Sequence, residues 1–123
     1  MRETGGELSR GVLSAIHVLD SWHLTDEEIR GILGFPFGMQ LSEWRKGNIS
    51  SMPTDVITRI RFIGAIYHLL QTHALSAVVW LRRPMRQFAH QTALDRMASG
   101  DIDDLKKIHD FLKYGLHPKK AKI

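Results

Sequence analysis

The stretch "LTDEEIRGILG", residues 24–34, decides the fold class. Thr25 is a natural helix N-cap and Glu28 follows three residues on, so each side chain can satisfy the other's backbone N–H in a capping box. Leu24 before the cap and Ile29 after it form a hydrophobic staple that sets the entry angle of the chain. Asp26 and Glu27 oppose the positive end of the helix dipole. Gly34 can take the left-handed stop. These signals predict a short helix bounded at both ends.

Outward from there, nearly every segment carries helical spacing. In "ELSRGVLSAIHVLDSW", Leu8, Val12, Ala15/Ile16, Leu19 and Trp22 form one apolar stripe. After "GFPF", a helix is expected to resume near Gly38 or Met39, to bury Leu41 and Trp44 and to stop at Gly47. The longest helix is predicted from Pro53 to about Thr72, with Val56, Ile60, Ile63, Tyr67 and Leu70 inward. "ALSAVVWL" reads as a short helix ending before Pro84, because a residue preceding proline is pushed out of the α region. Thr92 with Asp95 caps the next helix. Asp101 with Asp104 caps the last, which is expected to reach Tyr114 and to bury Leu105, Ile108 and Phe111/Leu112. No strand signal or internal repeat is present. The expected fold is all-α: a compact bundle of about six or seven short helices. Residues 1–73 would form a helix-turn-helix-like half and residues 74–123 a second helical half.

At 123 residues the chain can bury a core without staples. The 43% hydrophobic content fits that, and the lack of cysteine fits a reducing, cytoplasmic setting. The polar start "MRETGGELSRG" does not read as a signal peptide, and no apolar run approaches the roughly 20 residues that span a bilayer. The net charge of +4 is unevenly placed: residues 1–36 carry three Arg against six Asp and Glu, whereas residues 37–91 carry seven basic against two acidic. The tail "KKAKI" is basic too. A basic middle can meet phosphates or acidic proteins, or can simply be a solvated face.

Catalytic and metal chemistry have little to stand on. His17/His23, His68/His73 and His109/His117 do not form the one-face pairs that a zinc site on a helix needs, and there is no thiolate to help. The serines sit at caps and turns, the carboxylates cluster at helix starts, and no glycine-rich phosphate loop is present. Neither an enzyme nor a metal or other cofactor is expected. The segment from Leu24 to Gly47 has the layout of a helix-turn-helix, whose second helix enters the major groove. That makes Gln40, Ser42, Glu43, Arg45 and Lys46 the candidate DNA contacts, with Gln40 able to read adenine and Arg45 and Lys46 able to hold phosphates. A stand-alone DNA-binding regulator is therefore one reading.

A second reading comes from the C-terminal third. "WLRRP" at residues 80–84, Phe88, and "TALDRMASGDIDDLKKIHDFL" at residues 92–112 resemble, in order and spacing, the toxin-binding domain of the MbcA/ParS/Xre antitoxins. "LTDEEIRGILGFPFGMQLSEWRKG" and "ITRIRFIGAIYHLL" look more loosely like the Xre-like helix-turn-helix region and connecting helix of the same family. The family has a glycine pair after the Phe where this chain has Ala89 and His90, and often Asn after the Pro where it has Met85. Glycine permits positive φ, so the turn is expected to differ locally. The resemblance implies an antitoxin that occludes a cognate NAD-consuming or ADP-ribosylating toxin of the RES or ParT type, self-associates as a homodimer, and represses its own operator. It further implies that Trp80, Leu81, Phe88, Leu94 and Met97 are core. Arg82, Arg83, Arg86, Gln87 and His90 would be exposed toxin contacts, joined by Tyr114, His117 and Lys119 near the C-terminus.

Overall fold

The computed structural model describes residues 4–34, 41–49 and 54–115, the side chains of residues 4–9 excepted. Over these residues the chain is an all-α bundle: α1 (Thr4–Ser21), α2 (Asp26–Leu33), α3 (Leu41–Arg45), α4 (Thr54–Thr72), α5 (Ala77–Trp80), α6 (Ala93–Ala98) and α7 (Ile102–Asp110). A 3₁₀ turn at Arg86–Phe88 lies between α5 and α6, and α7 runs on into a π-helical turn at Phe111–Gly115. The expected starts at Gly38, Met39 and Pro53 fall outside the described residues, as do Gln40, His117 and Lys119.

The capping chemistry forms as the sequence dictates. Thr25 N donates to Glu28 Oε1 at 2.8 Å and Glu28 N donates to Thr25 Oγ1 at 3.1 Å, while Gly34 closes α2 at φ 65°. Such a cap is worth about 1 kcal/mol. Thr92 and Asp95 repeat the box on α6. The start of α7 differs. Asp101 accepts from Asp103 N at 2.9 Å, and Asp104 instead takes the Ser99 hydroxyl at 2.8 Å and the Arg96 guanidinium at 3.3 Å. A carboxylate close to a guanidinium and a hydroxyl gains charge-assisted bonds that a reciprocal cap would forgo.

A single core joins all of these helices. Val12, Ala15, Ile16, Leu19 and Trp22 of the first stripe are buried, as are Leu41 and Trp44. α4 packs most extensively on α7 and then on α1, so the packing is continuous across residue 73. The face that α4 buries is Val56, Arg59, Ile63, Ile66 and Leu70. The expected stripe through Ile60 and Tyr67 is therefore rotated: Tyr67 is exposed, Ile60 is half-buried, and an arginine lies inside.

Arg59 has an acceptor for each nitrogen of its guanidinium. Nε donates to Asp55 Oδ2 at 3.1 Å, one terminal nitrogen to the Ile32 carbonyl at 3.3 Å and the other to the Gly100 carbonyl at 2.6 Å. The side chain thereby ties α4 to the end of α2 and to the turn between α6 and α7. Gly31 brings α2 onto α6 so closely that a Cβ there would collide with the Ala98 carbonyl. No described helix is long and apolar enough to cross a membrane.

Candidate functional site

Between α5 and α6 the chain makes a folded knuckle. Met85 and Gln91 pair as an isolated antiparallel bridge, Met85 N donating to the Gln91 carbonyl at 3.1 Å and His90 N to the Met85 carbonyl at 2.8 Å. Phe88 points inward and is buried, whereas Arg86, Gln87, Ala89 and His90 are exposed. Closing so short a loop requires left-handed backbone at two successive residues, Ala89 at φ 56° and His90 at φ 66°. Glycine would accept this positive φ without strain, whereas a residue with a Cβ adopts it at a cost.

A triangle of rings anchors the knuckle from behind. Trp80 and Phe111 stack at 6.2 Å, Phe88 and Phe111 meet edge to face at 5.3 Å, and Trp80 meets Phe88 edge to face at 6.5 Å. Aromatic pairs of this kind contribute about 0.5–1.5 kcal/mol beyond their burial. Leu81 is also buried, and its carbonyl accepts from Leu94 N at 3.0 Å, locking the start of α6 to the end of α5. Trp80, Leu81, Phe88, Leu94 and Met97 are all core.

The arginines of this segment are not equivalent. Arg82 donates to the His23 carbonyl at 2.9 Å and lies 3.7 Å from Glu28, so it clamps the segment to the turn between α1 and α2. Arg83 and Arg86 are exposed and make no hydrogen bond or ion pair with the described residues. Tyr114, on the π-helical turn, is exposed with the Lys113 ammonium 5.4 Å from its ring centre.

The helix-turn-helix candidates fare differently. Ser42 and Lys46 are exposed. Glu43 is bound by the Asn48 amide at 2.9 Å and lies 3.5 Å from Lys46, and these partners hold its carboxyl below the usual range, the Asn48 hydrogen bond most of all. Arg45 was expected to face phosphate. Its guanidinium instead holds Asp20 and Asp26, each with an oxygen 3.0 Å from Nη2, and the Asp20 hydrogen bond is the main cause raising its pKa. A guanidinium engaged by two carboxylates ties α1, α2 and α3 together.

No family model and no solved structure matches the chain. Among curated proteins it is similar to the uncharacterized protein y4oB of Sinorhizobium fredii (strain NBRC 101917 / NGR234), 29% identical over 98 residues that cover 77% of this chain and 75% of that one.

Proposed function

We propose that the protein is the antitoxin of a bacterial toxin–antitoxin pair, docking on a cognate toxin of the RES or ParT type through the knuckle and its flanking cations. The observation that carries this reading is the positive φ at both Ala89 and His90, at the positions where the antitoxins it resembles have a glycine pair. Consecutive strained residues persist only where the surroundings over-determine them, and such sites concentrate where binding occurs. The aromatic triangle supplies that rigidity, and Arg83, Arg86, Gln87 and His90 offer exposed polar groups on it. Occlusion of an active site needs shape and charge rather than a nucleophile or a base.

The stand-alone regulator draws less support, because Arg45 is bound by Asp20 and Asp26 and Glu43 lies beside Lys46. Phosphate affinity grows with the number of cations that can neutralise it, and this face has few to give. The test is co-expression with the product of the neighbouring reading frame. The pair should co-purify, and growth arrested by the partner alone should be restored. A neighbouring product that is harmless, or that stays harmful and unbound, rules the antitoxin reading out.

A further inference from the structure

Beside the knuckle an open groove of about 500 Å³ runs between the 3₁₀ turn and the end of α7. Phe88, Ile108 and Phe111 form its apolar floor, and Gln87, Arg96, Lys107 and Asp110 are among its polar lining. Its volume falls in the range of sites that take one or two large side chains. Two features of its charge point to an occupant. Lys107 is exposed and has no carboxylate partner among the described residues. Arg96 reaches Asp104 through one terminal nitrogen at 3.3 Å, while its Nε is buried with no hydrogen-bond acceptor. Buried donors without partners are rare and call for an explanation.

The nearby acids cancel these cations only in part. Asp104 pairs with Arg96 at 3.3 Å but leaves its Nε without an acceptor, and Asp110, which also lines the groove, is held by Lys106 at 2.9 Å and His109 at 3.0 Å. The groove thus combines an apolar floor with the charge of Lys107, which no described carboxylate balances. We infer that it is a docking site for an acidic segment of the protein partner, with an apolar side chain on Phe88, Ile108 and Phe111 and an adjacent carboxylate meeting Arg96 and Lys107. A basic segment would be repelled by Lys107, and a purely apolar one would leave Lys107 without counter-charge and the Arg96 Nε without an acceptor. A sugar–phosphate chain would use the cations but not the apolar floor. The groove is continuous with the knuckle through Gln87 and Phe88, so the inference rests on the reading that this face meets a protein.

The experiment uses the ¹⁵N-labelled full chain and three probes: the capped peptide Ac-GDFDLG-NH₂, its lysine counterpart Ac-GKFKLG-NH₂, and a uridine hexanucleotide. The acidic peptide should shift the Arg96 Nε–H and the Lys107 amide as one saturable site. Lys107→Glu should weaken it at least about tenfold, while Lys107→Arg should bind like the parent. An equal response to the lysine peptide, tighter binding of the hexanucleotide, or no shift at Arg96 and Lys107 overturns the inference. The peptide measurement involves no toxin, so the two readings fail separately. A silent groove in a chain that still co-purifies with its toxin sinks this inference alone; a responsive groove in a chain that captures no toxin sinks the antitoxin reading alone.

Discussion

Arg59 is buried to 5% exposure, yet it is no isolated charge. Its planar fork meets a carboxylate and two carbonyls, in the last turn of α2 and the turn before α7. Removing the fork leaves those carbonyls buried behind it and opens a void, so Arg59→Ala should cost about 2–4 kcal/mol. Arg59→Lys should recover less than half, since a compact ammonium cannot span three acceptors in different directions. Urea unfolding of the three proteins measures this, and matching midpoints would mean that the fork contributes nothing. Asp110 gives a smaller, pH-dependent effect. Hydrogen bonds from Lys106 and then His109 hold its carboxyl below the usual aspartate range. A depressed folded pKa means stability that is present above the unfolded value of about 3.9 and lost as pH falls through the folded one. The stability gap between parent and Asp110→Asn should therefore be present at about pH 5 and shrink below about pH 4. A gap that persists unchanged at about pH 3 would assign it to packing instead.

At the scale of elements, the knuckle stores strain that a single change can release. A left-handed alanine costs about 1–2 kcal/mol relative to an ordinary backbone, and glycine removes that cost while adding about 0.5–1 kcal/mol of unfolded-state entropy. Ala89→Gly should thus stabilise the fold by up to about 1 kcal/mol, and His90→Gly by less, because histidine tolerates this region better than alanine. Thermal unfolding reads both, and a destabilised Ala89→Gly protein would show that the side chain outweighs the strain. The knuckle also marks where sequence stopped being legible. Thr25, Glu28, Gly34, Thr92 and Asp95 announce their helices because caps are local chemistry, settled within four residues. α4 is apolar on nearly every side, so Ile60 and Tyr67 compete with Arg59 and Ile66 for the inward face, and only the helices packed on it, α7, α1 and α2, decide between them. The ion pairs of Arg45 were illegible for the same reason: its partners Asp20 and Asp26 lie 25 and 19 residues away, and nothing local reveals them. The core side of the C-terminal segment was readable through the family resemblance of its motif, but the Arg96 and Lys107 groove was not, since it exists only once α6 and α7 meet.

Across the whole molecule, the arginines divide into cations that hold the fold and cations that face outward. Arg45, Arg59, Arg82 and Arg96 each engage carboxylates or carbonyls of their own chain, and Arg82 in particular cannot be reversed without loosening the turn between α1 and α2. Arg83 and Arg86 have no such duty. If they guide the chain onto an acidic or substrate-binding mouth of the proposed toxin, they should act mainly on encounter, because exposed charges steer association more than they hold a complex together. The double variant Arg83→Glu/Arg86→Glu should keep the parent's helical circular dichroism and unfolding temperature. Its association rate with the toxin should fall at least about tenfold at low salt. Raising the salt from about 50 mM to about 500 mM shortens the screening length to a few ångströms, so the parent's rate should drop steeply and the two proteins should converge. Stopped-flow measurement at both salts decides the matter. Equal rates at low salt would remove the arginines from the encounter, and a slowed variant that stays slow at high salt would assign them a direct contact in the bound complex instead.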